Sequence, residues 1–150
     1  MIKILLVDDE EIFGRFLHKA FANDLDYQIV HVAQNLEEAA AFQGEYDCCI
    51  LDLNLTTTYG LETMRRALAI PLGPMVVLTG LEDVELAKTI IKEGAKDYLV
   101  KDILAEKNGI EVLKKSLHYA AARECMAVLA DEIEKANQKM DRHDANTTRS

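Results

Sequence analysis

The chain has 150 residues, 17 Lys+Arg against 26 Asp+Glu, a formal net charge of −9, 49 % apolar residues and only 2 Pro and 7 Gly. Such a mix buries a core, which excludes a disordered or fibrous chain. Its acidity argues against a nucleic-acid surface, which needs Lys and Arg opposite phosphate. No apolar run approaches the roughly 18 residues of a membrane span, and the N-terminal MIKILLVDDEE runs into acids where a signal peptide would reach a cleavage site.

The charge is uneven. Residues 1–104 hold 9 basic and 18 acidic side chains, residues 105–140 hold 6 of each, and residues 141–150 hold 2 of each. The first two-thirds therefore tolerate or use concentrated carboxylates. The cysteines, Cys48, Cys49 and Cys125, are odd in number and form no C-x-x-C. That pattern favours a reducing compartment, hence a cytoplasmic location, with the thiols as small buried hydrophobes.

The chain opens on an apolar run over residues 2–7, too continuous for a one-sided strand and suited to one buried on both faces. Residues 11–22 come next, with Ile12, Phe13, Phe16, Leu17 and Ala20 at helical spacing. A second run spans 28–32. The helix over 35–42 has Asn35 as N-cap and Glu38 three residues on. A third run, 47–51, precedes a helix over 61–69 that starts after Gly60. A fourth, 75–78, precedes a helix over 82–93 with acids in its first turn and Gly94 at its end. The fifth run is 97–100. Strand-helix alternation five times over predicts an α/β fold with right-handed crossovers. Five units are too few for an eight-unit barrel.

The last helix is unusually long. Asn108 and Glu111 mark its start, and from Glu111 its pattern runs to about Met140 without Pro or Gly. Its first half, with Ile110, Val112, Leu113 and Leu117, is expected to pack on the sheet. Met126, Leu129, Ile133, Ala136 and Met140 then step by 3, 4, 3, 4, the spacing of a heptad seam. The expected division is a domain over residues 1–120, a helical extension over 121–140 and a disordered tail over 141–150. The extension reads as an amphipathic helix, a dimer stalk, or a linker toward a domain outside this chain.

Ligands of open α/β sheets bind beyond the carboxyl ends of the strands. Asp8, Asp9, Glu10 and Glu11 come after the first strand, Asp52 after the third, Thr79 and Gly80 after the fourth, and Lys101 after the fifth. A phosphate-binding loop would be Gly-rich at the first position, whereas acids there repel a bare phosphate. Clustered carboxylates suit Mg²⁺, which binds by one or two of them plus water and substrate phosphate. Asp52 then serves as nucleophile, since carboxylates form acyl-phosphates. Lys101 is the opposing cation and Thr79 a hydrogen-bond donor. Two bland readings stand beside this one. The acid run 8–11 charges the N-terminus of the first helix, and Arg65-Arg66 and Lys114-Lys115 are solvated faces. His18, His31, His118 and His143 lack metal-ligand spacing.

The ordered set Asp8-Asp9, Asp52, Thr79 and Lys101 resembles the receiver domain of two-component response regulators, over residues 2 to about 120. The resemblance implies a flavodoxin-like, doubly wound five-stranded parallel sheet in the order 2-1-3-4-5 with five helices. It implies that Asp52 accepts a phosphoryl group from the phosphohistidine of a histidine kinase or histidine phosphotransfer protein. It further implies that Asp9, Asp52 and the backbone carbonyl of Asn54 bind Mg²⁺, with Asp8 acting mainly through water. Thr79 and Tyr98 would form a switch, the ring of Tyr98 following Thr79 inward, and the module's own chemistry would be at most slow self-dephosphorylation. Two positions depart from the family. Thr56, in a Thr56-Thr57-Thr58 run, stands where a Pro is frequent, which predicts a more mobile loop. Asp102 comes after Lys101 where the family has a cis Pro, and a cis bond before a non-proline costs about 2.5–4 kcal/mol. Either a trans bond with a shifted loop or a strained cis bond is expected, with Asp102 competing for Lys101.

Two rival functions remain. A haloacid-dehalogenase-like phosphatase would use Asp8 as nucleophile, but it wants a second Asp where Glu10 stands and an acid pair downstream of Lys101 where only Asp102 is available. A phosphorylation-independent scaffold would homodimerise through the long last helix.

Overall fold

A computed structural model of the chain describes residues 1–148, with the side chains of 123–128 and 141–148 outside that description. The elements are β1 (Ile2–Val7), α1 (Glu11–Phe21), β2 (Tyr27–Ala33), α2 (Leu36–Ala41), β3 (Cys48–Leu51), α3 (Leu61–Leu68), β4 (Met75–Thr79), α4 (Val84–Glu93), β5 (Asp97–Val100), a 3-10 turn over Lys101–Ala105, and α5 (Gly109–Thr148). The strands pair in parallel as one sheet in the order β2-β1-β3-β4-β5. This is the flavodoxin-like order that the family resemblance implies.

Both faces of the sheet are covered, which is why its strands lack polar alternation. Leu5, Val7, Cys49, Leu51 and Val77 belong to one core, shared with Ala39, Met64 and Ile90 from α2, α3 and α4. Ile4, Leu6, Cys48, Ile50, Val76 and Leu78 belong to the other, shared with Leu17 of α1 and Leu113 and Leu117 of α5. Cys48 and Cys49 thus face opposite layers as free buried thiols. Burial pushes the Cys48 thiol up to about 12, and that of Cys49 higher still.

Local chemistry sets the helix ends. The Asn35 side chain accepts from the Glu38 N–H, so Asn35 caps α2 as the sequence predicts, while the Glu38 carboxylate accepts from the Gln34 N–H, one residue before the cap. Asp83 caps α4 through the Leu86 N–H, and Gly94 ends it at φ 130°. The Lys101–Asp102 peptide is trans, and the chain enters the 3-10 turn directly.

α5 differs from expectation at its far end. It passes Met140 and continues to Thr148, where a disordered tail is expected. Residues 141–148 contain no Pro or Gly, so nothing in them breaks the helix. Residues 149 and 150 lie outside the described ones.

Lys114 also differs. It is not a solvated face: its Nζ lies 2.6 Å from Asp24 Oδ2 and 5.6 Å from the centroid of the Phe21 ring, tying α5 to the α1–β2 loop. Asp24 additionally accepts from the Asp26 and Tyr27 N–H groups. The bond from Lys114, then that from Asp26, hold the Asp24 carboxyl below its usual range. A depressed carboxyl pKa contributes stability above the unfolded value and loses it as pH falls through the folded one. Asp24→Asn should therefore lower stability to urea at neutral pH by up to about 1 kcal/mol. The gap to the parent chain should close as pH drops below the ordinary value of 3.8.

Gly109 marks a close approach. A Cβ there would sit 1.9 Å from the Ile103 carbonyl oxygen and 2.8 Å from the Leu104 Cα, so the first turn of α5 abuts the 3-10 turn that begins with Lys101. Gly109→Ala must push the two apart and should cost about 1–3 kcal/mol in thermal or urea unfolding.

Candidate functional site

The strand order reverses between β1 and β3, and a doubly wound sheet opens a crevice beyond the strand ends at such a point. The ladder runs one residue past each strand there. The Asp8 N–H donates to the Ala33 carbonyl at 2.9 Å and the Asp52 N–H to the Val7 carbonyl at 2.9 Å. Backbone bonds therefore pin both carboxylates side by side at the rim.

Lys101, the first residue after β5, crosses to meet them. Its Nζ lies 2.9 Å from Asp8 Oδ2, 3.0 Å from Asp52 Oδ2 and 3.0 Å from Glu10 Oε2. The same ammonium sits 4.1 Å from the centroid of the Phe13 ring. Burial alone would lower the Lys101 pKa, but the carboxylates of Asp8, Asp52 and Glu10 outweigh it and hold the ammonium above its ordinary range. The Asp8 carboxyl is also raised above its ordinary range, but there burial dominates. Burial raises its pKa, the bonds from Lys101 and the Glu10 N–H oppose that, and the charge of Asp52 adds to it.

The site residues proposed from sequence divide into three groups. Asp8, Asp52 and Lys101 are brought together. Asp9 and Asn54 line a cavity of about 540 Å³ above them, with Glu10, Asp52, Thr56 and Lys101. Asp9 is half-buried and accepts a hydrogen bond from the Thr56 hydroxyl, while the Asn54 N–H donates to Asp52 Oδ1 at 3.1 Å. Thr79 and Tyr98 make no hydrogen bond to the charged cluster among the described residues. Thr79 is fully buried, and its hydroxyl has no hydrogen-bond partner among the described residues. The Tyr98 ring is half-buried, and its hydroxyl donates to the Leu81 carbonyl at 2.5 Å.

The acid run is not merely a helix cap. Glu10 occupies the N-cap position of α1 but makes no side-chain cap bond, and its carboxylate goes to Lys101 instead. Glu10, not Asp102, is the third acid on the ammonium. The Thr-rich loop is also tethered. Thr58 is buried, Thr63 donates to the Leu53 carbonyl, and the Thr58 and Thr63 hydroxyls lie 2.7 Å apart. With Thr56 on Asp9, these bonds oppose the mobility expected of the loop.

Three functional contacts escape the sequence reading: Glu10 and Phe13 on Lys101, and Thr56 on Asp9. Glu10 and Phe13 lie three residues apart, on one side of a helix start, and that spacing was the available signal.

In chemical kind the donors suit Mg²⁺: carboxylate oxygens of Asp9 and Asp52, a carbonyl at Asn54, and an open cavity with room for water. Among the described residues no three such side chains already converge as a metal cluster. Asp8 and Asp52 converge on the Lys101 ammonium instead. One ammonium faces three carboxylates, so charge remains in excess. The raised Asp8 pKa means that folding disfavours its ionised form, a cost present above the folded pKa and absent below the unfolded one. Asp8→Asn should therefore raise the melting temperature in chelator at neutral pH, and the gain should shrink as pH falls through the carboxyl range.

A family model described as the response regulator receiver domain matches residues 4–114. The chemotaxis protein CheY of Listeria monocytogenes is 31 % identical over 77 % of this chain and 98 % of its own length. The nitrate/nitrite response regulator NarL of Escherichia coli is 34 % identical over 81 % of this chain, which spans 55 % of that longer protein. Among solved structures, the receiver domain of a Luxo repressor protein from Vibrio parahaemolyticus is 27 % identical with a TM-score of 0.66, covering 86 % of this chain and 96 % of its own. A Burkholderia pseudomallei response regulator, solved with a phosphorylated aspartic acid, a calcium ion and citrate, is 28 % identical with a TM-score of 0.57. It covers 77 % of this chain and 72 % of its own.

Proposed function

The chain belongs to the response regulator receiver domain family, and from that premise we propose that Asp52 accepts a phosphoryl group from a partner's phosphohistidine. The observation that carries this reading is the position of Asp52, pinned at the β1/β3 rim with Lys101 at 3.0 Å and an open cavity above it. An Asp52 carboxylate oxygen attacks phosphorus in line. The P–O bond forms as the P–N bond breaks, and the imidazole leaves with the electron pair and takes up a proton. The partner is a histidine kinase or a histidine phosphotransfer protein.

Asp9, Asp52 and the Asn54 carbonyl would hold Mg²⁺, with Asp8 acting through water, and the ion would supply positive charge to offset that of the phosphoryl group. Lys101 is the fixed cation opposite. The Thr79 hydroxyl, buried and unpartnered among the described residues, is free to donate to the new phosphoryl group. The Tyr98–Leu81 bond links β5 to the loop after Thr79, so a turn of Thr79 is read out there. Slow hydrolysis returns the carboxylate and releases inorganic phosphate.

Incubation with Mg²⁺ and acetyl phosphate, trapping of the acyl-phosphate and mapping by mass spectrometry should place the label on Asp52, and Asp52→Asn should abolish it. A label on Asp8 with turnover of phosphomonoesters would support the phosphatase reading instead. Mg²⁺ should also raise the melting temperature by binding the folded state. Asp9→Ala should remove most of that rise, and an equal rise in the variant would reject the assigned ligands.

A further inference from the structure

Of the consecutive acids Asp8, Asp9 and Glu10, Asp9 is the one that Lys101 does not hold. The ammonium takes Asp8, Glu10 and Asp52. Asp9 instead accepts a hydrogen bond at Oδ2 from the Thr56 hydroxyl. A neutral donor fixes a carboxylate without cancelling its charge, so that charge stays available to a cation. Thr56 is itself exposed, and water competes for its hydroxyl, so the loop that carries it decides whether the bond persists. Leu55 and Thr58, on either side, are 4 % and 5 % exposed. The Leu55 N–H donates to the Thr58 carbonyl at 3.0 Å, and the Gly60 N–H to the Leu53 carbonyl at 2.9 Å. Thr63 donates to the same Leu53 carbonyl at 2.8 Å. Residue 56 is thus carried at a fixed place, and its β-branched side chain has few rotamers to choose from. The same loop carries Asn54, whose N–H donates to Asp52 Oδ1 at 3.1 Å. One short, closed loop therefore sets Asp52 and Asn54 directly and Asp9 through Thr56.

We propose that Thr56 is a positioning residue that presents Asp9 to a divalent cation by one oxygen only, and so favours Mg²⁺ over Ca²⁺. This rests on the reading of Asp9 as a Mg²⁺ ligand and adds to it the device that aims the ligand. With Oδ2 engaged by the hydroxyl, Oδ1 is the oxygen left free, on a side chain that lines the cavity with Asp52 and Asn54. The two ions use a carboxylate differently. Mg²⁺ is small and demands near-octahedral ligation, and the two oxygens of one carboxylate lie too close together to fill two of its positions. Ca²⁺ is larger, takes more ligands in a flexible geometry, and accepts a carboxylate through both oxygens. A hydroxyl that occupies one Asp9 oxygen therefore costs Mg²⁺ nothing and denies Ca²⁺ a ligand. Hydrogen-bonded partners of this kind orient ligating carboxylates, and their loss weakens metal binding even though they never touch the metal.

Calorimetric titration of Mg²⁺, and separately of Ca²⁺, into the full, unphosphorylated chain tests this with no phosphodonor present. Thr56→Val keeps the branched shape and removes the hydroxyl. It should weaken Mg²⁺ binding about tenfold, near the lower end for such a partner because the bond is exposed. Its Ca²⁺ affinity should fall less or rise, so that the preference for Mg²⁺ narrows. Thr56→Ser restores the donor and should recover most of both the affinity and the preference. Asp9→Ala, titrated beside them, separates this inference from the reading beneath it. Mg²⁺ affinity retained in Asp9→Ala would reject the ligand reading and the inference with it. If Asp9→Ala loses Mg²⁺ while Thr56→Val matches the parent, or loses both ions equally, the inference alone is overturned. A Thr56→Ser as weak as Thr56→Val would assign the effect to the methyl group and overturn it as well.

Discussion

Three carboxylates share one ammonium. Asp8, Asp52 and Glu10 all lie within 3.0 Å of Lys101 Nζ, and the rest of the site is arranged around that contact. Each partner arrives from a different element. β1 and β3 deliver Asp8 and Asp52 through backbone bonds one residue past their ends, the start of α1 delivers Glu10, and β5 delivers Lys101. The Phe13 ring and the surrounding burial keep the ammonium out of bulk water, which would screen its attraction to the acids. Still, one positive charge does not balance three negative ones. The fold tolerates this excess because the sheet, buried on both faces, holds the strand ends where they are. The same excess suits the rim to a divalent cation, which the proposed phosphoryl transfer would need beside the acids.

Connections run outward from the cluster through loops that side-chain bonds stiffen. Thr56 ties the loop after β3 to Asp9, and Thr63 and Thr58 tie its far end to the Leu53 carbonyl. Tyr98 ties the loop after β4 to β5. The 3-10 turn that begins with Lys101 abuts Gly109 at the start of α5, so the cation and the long helix share a mechanical boundary. In its first half α5 is part of the receiver core. Among the described side chains its buried face ends at Ala120, and its exposed heptad residues form an apolar stripe that the receiver does not itself bury.

The architecture was legible because its signals are local. Runs such as residues 48–51 and 75–78 are apolar without alternation, as strands covered on both faces are. Asn35 with Glu38 announces a helix start, and the order of Asp8-Asp9, Asp52, Thr79 and Lys101 announces a rim. What stayed hidden depends on distance in space. Glu10 looked like a helix cap until Lys101 reached it across 91 residues of chain. Lys114 looked solvated because its partner Asp24 lies on another element. Gly109 gave no sign of its close approach, since a glycine at a helix start is ordinary in sequence. Residues 141–148 contain no Pro or Gly, and α5 runs on through them to Thr148.

The Lys101 ammonium and a divalent cation, on this view of the site, neutralise the same carboxylate charge. Thermal unfolding of Lys101→Met in chelator and in Mg²⁺, beside the parent chain, tests that claim most directly. The variant should have a lower metal-free melting temperature and a larger rise on adding Mg²⁺, because the acids lose their resident cation and gain more from the added one. A rise equal to or smaller than the parent's would contradict it.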